Sequence, residues 1–371
     1  MAARPATRTP RPTRERTDDV PARSPVRDLT RGATSFRIDW DVRPAFDFVF
    51  SLSDDAASTD DLPAADREWL AKAKAAMPAT VRDATQRLFA SELCINAAVL
   101  IVDRPNVRTS AEFVDAIADA EPAEVVRGMF EYSPREPELA ALIDRAIGGD
   151  EAAIKAMDET LHDHKKDARL AILREPEATV ASIVDVLGAW SEQFREIEPR
   201  VTDIIGRDYD GRAADRASLS PVDLIERTTN GIRWLPEAGV RRVILAPSYF
   251  SRPYNFLMSA FDWRLFGYPV ADEALEAPDP LSAPQSVVRL HRALGDETRL
   301  RILKLLAGRD LYLTEIAQHL ELSKPTIKHH LALLRSASLV TVTESGTVVY
   351  YSLRRDRLDD ASADIKRFLI G

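Results

Sequence analysis

The chain has 371 residues, enough for two or three domains, and combines 45% hydrophobic with 29% charged residues, which is typical of a globular protein. Its longest apolar run, Ala97 to Val102, is far shorter than the roughly 20 residues of a membrane-spanning helix, and the N-terminal residues lack the apolar stretch of a secretory signal. The single cysteine, Cys94, excludes an intramolecular disulfide and a thiolate metal cluster. We therefore expect a cytoplasmic protein with no membrane partner.

The net charge of −9 is distributed unevenly along the chain. Residues 1–35 and residues 285–371 each carry a net charge of +4, which leaves −17 for the residues between them. A locally basic end on an acidic chain is typical of a nucleic-acid-binding module attached to a domain that does not bind DNA.

Residues 1–35 contain eight arginines and five prolines but almost no large apolar side chains. Such a segment cannot bury enough apolar surface to offset the loss of chain entropy on folding. We expect a disordered basic leader, and whether it also contacts DNA phosphates stays open.

Residues 36–269 are predicted to be mostly helical. Ser110 and Asp150 stand where helix N-caps are expected, and the periodic apolar stretch from Glu177 to Glu198 predicts a long helix that ends at Pro199. After Asn230-Gly231 the pattern predicts a small antiparallel β element. Its strands are expected at Ile232 to Leu235, Arg241 to Ala246, Phe256 to Phe261 and Leu265 to Tyr268. Residues 270–284 have the Pro, Asp and Ala content of a linker.

Residues 285–371 show a different pattern, in which short predicted helices and strands are separated by clear capping and turn residues. Helices are predicted around Val287 to Leu294, Thr298 to Leu306 and, with Thr314 as N-cap, Ile316 to Leu320. A fourth helix follows after only a tight turn at Glu321-Leu322, with Ser323 as N-cap and Pro325 in its first turn. Two helices so closely joined form a helix-turn-helix. Residues 339–353 then predict a β-hairpin with its turn at Glu344-Ser345-Gly346, and a last helix spans Asp356 to Leu369.

The fourth helix, residues 323–335, divides into two faces. At 100° per residue, Ile327, Leu331 and Leu334 face a core, while short polar and basic side chains lie on the opposite face near the N-terminus. Such a face suits the major groove of DNA, and His330 is interpreted as a packed residue. The residues expected to contact DNA on this helix and the wing are Ser323, Lys324, Pro325, Thr326, Lys328, His329, Arg335, Ser345, Gly346 and Tyr350.

Three motifs in this C-terminal stretch resemble the ArsR family of bacterial transcriptional regulators: the run from Ala293 to Leu303, the run from Leu322 to Leu331, and the wing from Gly346 to Leu353. The resemblance covers under a quarter of the chain. It implies a homodimeric winged helix whose fourth helix reads a double-stranded DNA operator, usually as a repressor. The remaining acidic part is similar in its residue pattern to the N-terminal half of long ArsR-like regulators of actinobacteria. This similarity implies a ligand-binding or dimerising role.

The sequence departs from the metal-sensing members of that family. Where they carry Cys-x-Cys at the start of the third helix, this chain reads Leu313-Thr314-Glu315, and its last helix has aspartates without a histidine. Carboxylates alone are poor ligands for soft metals or zinc, so we expect no metal site and no cofactor. The pair of histidines in His162-Asp163-His164 is interpreted as part of a solvated charged patch.

Aromatic residues are concentrated between residues 249 and 268. Two interpretations stay open: an effector pocket lined by Trp234, Tyr249, Tyr254, Phe256 and Trp263, or a core where strands meet helices. Together the patterns predict a mainly α (α+β) fold in which a helical N-terminal domain with a small β element precedes a winged helix-turn-helix domain. The expected function is a sequence-specific, non-enzymatic DNA-binding regulator that senses a small non-metal effector. The alternatives are an enzyme or ligand-binding protein in residues 36–269 with the winged helix as an appendage, and an interaction module that does not bind DNA.

Overall fold

A computed structural model of the chain describes residues 36–53, 61–90, 95–102, 104–130, 137–161, 166–260, 262–275, 281, 283–345 and 348–370. The predicted leader, Cys94, the His162-Asp163-His164 triplet and Gly346 lie outside the described residues. In the part of the chain that is described, no helix is both long and apolar enough to cross a membrane.

Helices make up most of the N-terminal part. Their bounds are α1 Ala45–Phe50, α2 Ala64–Ala76, α3 Ala79–Thr85, α4 Val99–Val102, α5 Ser110–Ala118, α6 Pro122–Met129, α7 Pro137–Ile147, α8 Glu151–Thr160, α9 Lys166–Arg174, α10 Pro176–Phe194, α11 Glu198–Gly211, α12 Ala213–Ser218 and α13 Pro221–Thr228. The described residues of this part also form a π-helical turn at Gln86–Ala90 and 3-10 turns at Ile95–Ala98 and Asp272–Ala274. The 19-residue α10 packs against α3, α5 and α6, because its buried residues recur at helical spacing from Val180 to Phe194.

Helix boundaries differ from the predicted ones at two places and agree with them at a third. The long helix ends at Phe194, and Pro199 lies in the first turn of α11, where its missing N–H costs nothing. Asp150 caps α8 as predicted, since its carboxylate accepts the N–H groups of the first turn. The cap of α5 is Thr109 rather than Ser110, and it forms a capping box with Glu112.

The strands are β1 Arg37–Trp40, β2 Ile232–Arg233, β3 Arg242–Ser248, β4 Phe256–Ser259, β5 Trp263–Pro269, β6 Leu311–Tyr312, β7 Val340–Ser345 and β8 Val348–Leu353. The N-terminal sheet has the order β1-β3-β5-β4, in which β1, β3 and β5 are parallel and β4 is antiparallel to β5. The mainly α (α+β) class is therefore confirmed, whereas the β element is a mixed sheet and not the antiparallel one predicted.

The two faces of this sheet are buried in separate hydrophobic clusters. Because successive side chains of a strand point to opposite faces, Ile244 and Ala246 of β3 join the large helical core, while Val243 and Leu245 join a smaller cluster. The smaller cluster lies against α13 and includes Leu224 and Ile225. Burial on both faces explains why the parallel strands read as nearly continuous apolar runs.

A buried polar network crosses the helical core at the end of β3. Asp47 is fully buried and accepts hydrogen bonds from Ser248 Oγ at 2.5 Å and from the backbone N–H groups of Tyr249 at 3.0 Å and Phe250 at 2.8 Å. Burial raises the pKa of Asp47 to about 6, although these three hydrogen bonds act in the opposite direction. Asp66 accepts from the Tyr249 hydroxyl and pairs with Arg200 at 2.5 Å.

The C-terminal part contains α14 Gln285–Leu294, α15 Glu297–Leu306, α16 Leu313–Leu320, α17 Lys324–Ser336 and α18 Arg355–Ile370. With strands β6, β7 and β8 they form a winged helix over one apolar cluster of their own. As the sequence predicts, α14 and α15 are separated at Gly295-Asp296, and Asp296 caps α15. Helix α16 starts at Leu313 with Tyr312 at the N-cap position, two residues earlier than the predicted cap Thr314.

A short strand from the N-terminal part extends the winged-helix sheet, whose order is β2-β7-β8-β6. In this parallel pairing Ile232 lies opposite Val342 and Arg233 opposite Thr343, and the N–H of Val342 donates to the Gly231 carbonyl at 2.8 Å. Gly231 has a φ of +118°, and a Cβ there would lie 3.1 Å from the Val340 carbonyl oxygen. The backbones can approach this closely because glycine has no side chain.

Candidate nucleic-acid interface

The helix-turn-helix is formed by α16 and α17 with only three residues between them. Glu321 adopts the left-handed conformation with φ +58°, and the N–H of Leu322 donates to the Ala317 carbonyl at 3.1 Å, which ends α16 abruptly. Ser323 then caps α17, because its Oγ accepts the Thr326 N–H at 3.3 Å, and Pro325 lies in the first turn. The tight turn, the Ser323 cap and the position of Pro325 agree with the sequence prediction.

The recognition helix α17 presents two distinct faces. Ile327, Leu331 and Leu334 are buried in the winged-helix core, which fixes the rotation of the helix. On the other side, every predicted contact residue of this helix is exposed to solvent: Ser323, Lys324, Pro325, Thr326, Lys328, His329 and Arg335. The N-terminal half of α17 is therefore free to enter a groove, with two lysines, a hydroxyl and an imidazole directed outward.

His330 differs from its neighbour His329. Only 15% of its side chain is exposed, and its Nδ1 lies 3.8 Å from the Asp296 carboxylate. Asp296 accepts the backbone N–H of Arg299, and this hydrogen bond, with the charges of Arg299 and His330, lowers the pKa of its carboxyl group. His330 thus packs against the α15 cap, in agreement with its interpretation as a packed residue.

The wing is the hairpin of β7 and β8, which pair from Val340 opposite Leu353 to Ser345 opposite Val348. The prediction that Glu344 and Ser345 lie in the turn is wrong, because both residues belong to β7 and pair with β8. Tyr350 lies back from the hairpin end, half-buried, with its ring edge-on to Tyr312 at 6.2 Å. Ser345 is thus placed nearer the tip of the wing than Tyr350.

The five aromatic residues considered for an effector pocket are not all brought together, although Tyr249, Phe256 and Trp263 pack in or against one core. Tyr249 and Trp263 are buried in the large helical core, whereas Trp234 belongs to the smaller cluster on the other face of the sheet. Phe256 packs onto Phe50 with ring centroids 3.8 Å apart. Tyr254 is 44% exposed. These positions agree with the alternative interpretation, in which most of the aromatic residues fill a core.

Tyr254 helps to line a small pocket of about 20 Å³, and none of the five aromatics lines either of two larger cavities in the described residues. The larger, of about 1220 Å³, lies within the N-terminal part beside β1 and α11 and is lined in part by Trp40 and Tyr209. The smaller, of about 560 Å³, lies between the N-terminal part and the winged helix. In the described ranges no three His, Cys, Asp or Glu side chains are grouped as a metal site would need.

Sequence reasoning missed the junction that joins the two parts. The Glu226 carboxylate accepts hydrogen bonds from Nε and Nη2 of Arg233, at 2.9 and 3.1 Å. It also accepts one from the Thr341 hydroxyl at 3.4 Å. Glu226 lies on α13 and Thr341 on the wing strand β7, so this carboxylate forms a hydrogen bond between the two parts of the chain. Their separation in the sequence leaves no local pattern that could have revealed the contact.

Comparison with known proteins agrees with this geometry. Residues 296–342 match the family described as bacterial regulatory protein, arsR family. The transcriptional repressor SdpR of Bacillus subtilis is 41% identical over 70 residues, which are 19% of this chain and 78% of SdpR. The chain belongs to the ArsR family. It is accordingly a DNA-binding transcriptional regulator, as its exposed recognition helix predicts.

Two further relatives of this ArsR-family chain come from other bacteria. The HTH-type transcriptional regulator KmtR of Mycobacterium tuberculosis is 37% identical over 83 residues, which are 22% of this chain and 64% of KmtR. The arsenical resistance operon repressor of Staphylococcus aureus is 36% identical over 69 residues, which are 19% of this chain and 66% of that repressor. These similarities indicate a regulatory and not an enzymatic role for the winged helix, and they cover about a fifth of the chain.

Proposed function

We propose that this ArsR-family protein is a homodimeric repressor that reads an operator with α17 in the major groove and the wing along the backbone. The observation that carries the proposal is the exposed N-terminal face of α17 opposite its buried Ile327, Leu331 and Leu334. Lys324 and Lys328 have the charge to meet phosphates or guanine acceptors, while Thr326 and His329 have the donors and acceptors to read base edges. Ser323, Pro325, Arg335, Ser345, Gly346 and Tyr350 complete the proposed contact surface.

The last helix supports the homodimer. None of the side chains that the structure describes on α18 is buried, and Leu369 and Ile370 are 69% and 82% exposed. Apolar side chains left uncovered at the end of a helix are suited to pack against a second copy. A dimer also supplies the two recognition helices, about one DNA turn apart, that a symmetric operator requires. Sedimentation of the purified chain at twice its monomer mass supports this assembly, and a monomer excludes it.

The N-terminal part is proposed to regulate this binding without catalysis, by sensing a small non-metal effector. Its support is the junction through which β2 extends the wing sheet, because a change in the N-terminal part is then transmitted directly to β7. A protein that reads an operator acts where the chromosome is, so we propose a cytoplasmic location.

Operator binding is tested by a gel-shift titration against the DNA upstream of this protein's own gene and against a scrambled fragment. We expect affinity at least about a hundredfold higher for the native fragment, falling steeply with salt because phosphate contacts release counterions. Lys328→Ala with His329→Ala removes a charge and a base-reading group, so native-fragment affinity should fall by about a hundredfold.

Lys304→Ala is the matched control, since Lys304 is exposed on α15 outside the recognition helix. Its affinity should stay within about twofold to threefold of wild type, as one distant charge contributes little once screened by salt. Unchanged affinity of the Lys328→Ala, His329→Ala variant would remove α17 from the proposed interface. Equal weak binding to the native and scrambled fragments would overturn operator recognition at this site.

A further inference from the structure

The cleft of about 560 Å³ lies where the two parts of the chain face each other. Its walls come from the segment after β5, from α14, from the end of α17 and from one side of α18. This volume is in the range of sites that enclose a small organic ligand. A molecule bound there would contact both the N-terminal part and the DNA-binding part.

The lining of the cleft is rich in arginine. Seven arginines line it against only four acidic residues, although the chain as a whole is acidic. Several of the carboxylates that pair with these arginines, such as Asp208 with Arg212 and Asp356 with Arg354, are not part of the lining. The surface facing the cavity is therefore positively charged, which favours an anion.

Arg252 is the most deeply placed of these cations. Its side chain is 1% exposed, donates from Nη1 to the Val270 carbonyl at 3.1 Å and pairs with Asp272. Among the described residues its buried Nε has no hydrogen-bond partner. A buried donor without a partner is costly, so an acceptor atom supplied by a ligand would stabilise it.

Arg289 and Arg357 bring two further cations together in the same cleft. Arg289 pairs with Asp61 of the N-terminal part, and Arg357 pairs with Asp364 at 2.6 Å. Partial burial and the nearby charge of Arg357 lower the pKa of Arg289 to about 10. An anion between the two guanidinium groups would relieve their repulsion.

Most of the remaining lining is apolar and includes Pro253, Val270, Val287 and Phe368, while Asn230 and three serines add neutral polar groups. A purely inorganic ion would leave this surface uncovered. The combination suits a molecule with one anionic group and an apolar body.

We propose that this cleft is the effector site of the regulator and binds a small organic anion, a carboxylate or phosphate ester with an apolar portion. The proposal rests on the regulatory function proposed above. Arg289 Nε donates to the Ser336 carbonyl at 2.9 Å, and Ser336 is the last residue of α17. An anion that draws Arg289 and Arg357 together acts through this hydrogen bond on the end of α17. It shifts DNA affinity because it binds more tightly to one position of α17 than to another.

The test uses the purified full-length protein and the fluorescent probe 8-anilinonaphthalene-1-sulfonate, which is an organic anion with an apolar body. We expect saturable binding of one probe per chain. Arg357→Gln and Arg367→Glu should each weaken it by about tenfold or more, as expected when a charge-assisted contact is lost. Arg367 is 71% exposed, so its replacement leaves the fold intact even where that of Arg357 does not.

The matched control is Arg195→Gln, because Arg195 is 66% exposed and lines the other cavity. Its probe affinity should equal that of wild type. Probe binding that Arg367→Glu leaves unchanged, or that Arg195→Gln abolishes, would overturn the assignment to the cleft.

Coupling to DNA is measured by repeating the gel shift with saturating probe. A change in operator affinity for wild type that is absent in Arg367→Glu supports the effector role, and equal affinity with and without bound probe overturns it. If the protein binds no fragment at all, operator recognition fails, yet the probe titration still decides whether the cleft is an anion site.

Discussion

The two parts of the chain bury different kinds of side chain. In the winged helix the core is built from Leu, Ile, Val and Ala, and the charged residues stay at the surface. Within the described residues, all buried charged side chains belong to the N-terminal part: Asp47, Asp61, Asp66, Asp208, Arg252 and Arg264. The winged helix is thus specified by local caps and apolar spacing, whereas the N-terminal part depends on ion pairs and hydrogen bonds between distant residues.

The largest effect is expected in the N-terminal core, at Trp190. This residue is fully buried on α10, and its Nε1 donates to the Phe48 carbonyl at 3.1 Å and to Ser51 Oγ at 3.0 Å. Trp190→Ala should lower the free energy of unfolding by about 3–5 kcal/mol, measured by urea denaturation. Trp69→Ala is the control and should cost less, since Trp69 is only partly buried. Equal losses of unfolding free energy for the two variants would contradict the prediction that Trp190 stabilises the core more than Trp69 does.

The buried carboxyl of Asp47 predicts a pH dependence that the winged helix does not share. Its pKa is about 6 in the fold against about 3.8 when unfolded, so the folded state keeps the proton over that range. This contribution favours folding below pH 4 and is lost as the pH rises through 6, by up to about 3 kcal/mol.

Asp47→Asn removes the titrating group and isolates this contribution. Urea denaturation from pH 4 to pH 7 should show wild type losing stability relative to the variant as the pH rises. Parallel stability curves for the two proteins would show that Asp47 does not titrate in this range.

The junction between the two parts is tested at Gly231. Alanine there must adopt a positive φ and place its Cβ 3.1 Å from the Val340 carbonyl oxygen and 3.3 Å from Arg354 Cδ. Gly231→Ala should therefore cost about 1–3 kcal/mol and speed limited proteolysis between the N-terminal part and the wing. Gly206→Ala on α11, where no atom lies within 4 Å of the added Cβ, should be neutral or stabilising. Unchanged proteolysis of Gly231→Ala would indicate that β2 does not hold the parts together.

The smallest effect is expected at the cap of the recognition helix. Ser323→Ala removes the acceptor of the Thr326 N–H and should cost about 1 kcal/mol in urea denaturation. Ser323→Thr keeps a hydroxyl and should restore most of this loss. Equal stability of the alanine and threonine variants would mean that the cap does not order α17.

Much of the winged helix was predictable because its determinants are neighbours in the sequence. Ser323, Pro325 and the spacing of Ile327, Leu331 and Leu334 fix the start and the rotation of α17 without reference to any other part of the chain. The same local reasoning placed the strands near Arg242 to Ser248 and Trp263 to Pro269 but not their direction. Strand direction depends on which strands meet, and β1, which lies some 200 residues before β3, was not predicted.

The sequence alone determined the family, the mainly helical class and the exposed face of the recognition helix, because caps, helical periodicity and short turns act within about four residues. Only the tertiary structure decided that the aromatic residues fill two cores, that β2 extends the wing, and that arginines from both parts line one cleft. Each of those features joins residues separated by tens to hundreds of positions. No local pattern encodes such contacts, since they arise only when helices and sheet pack and exclude water from both sides.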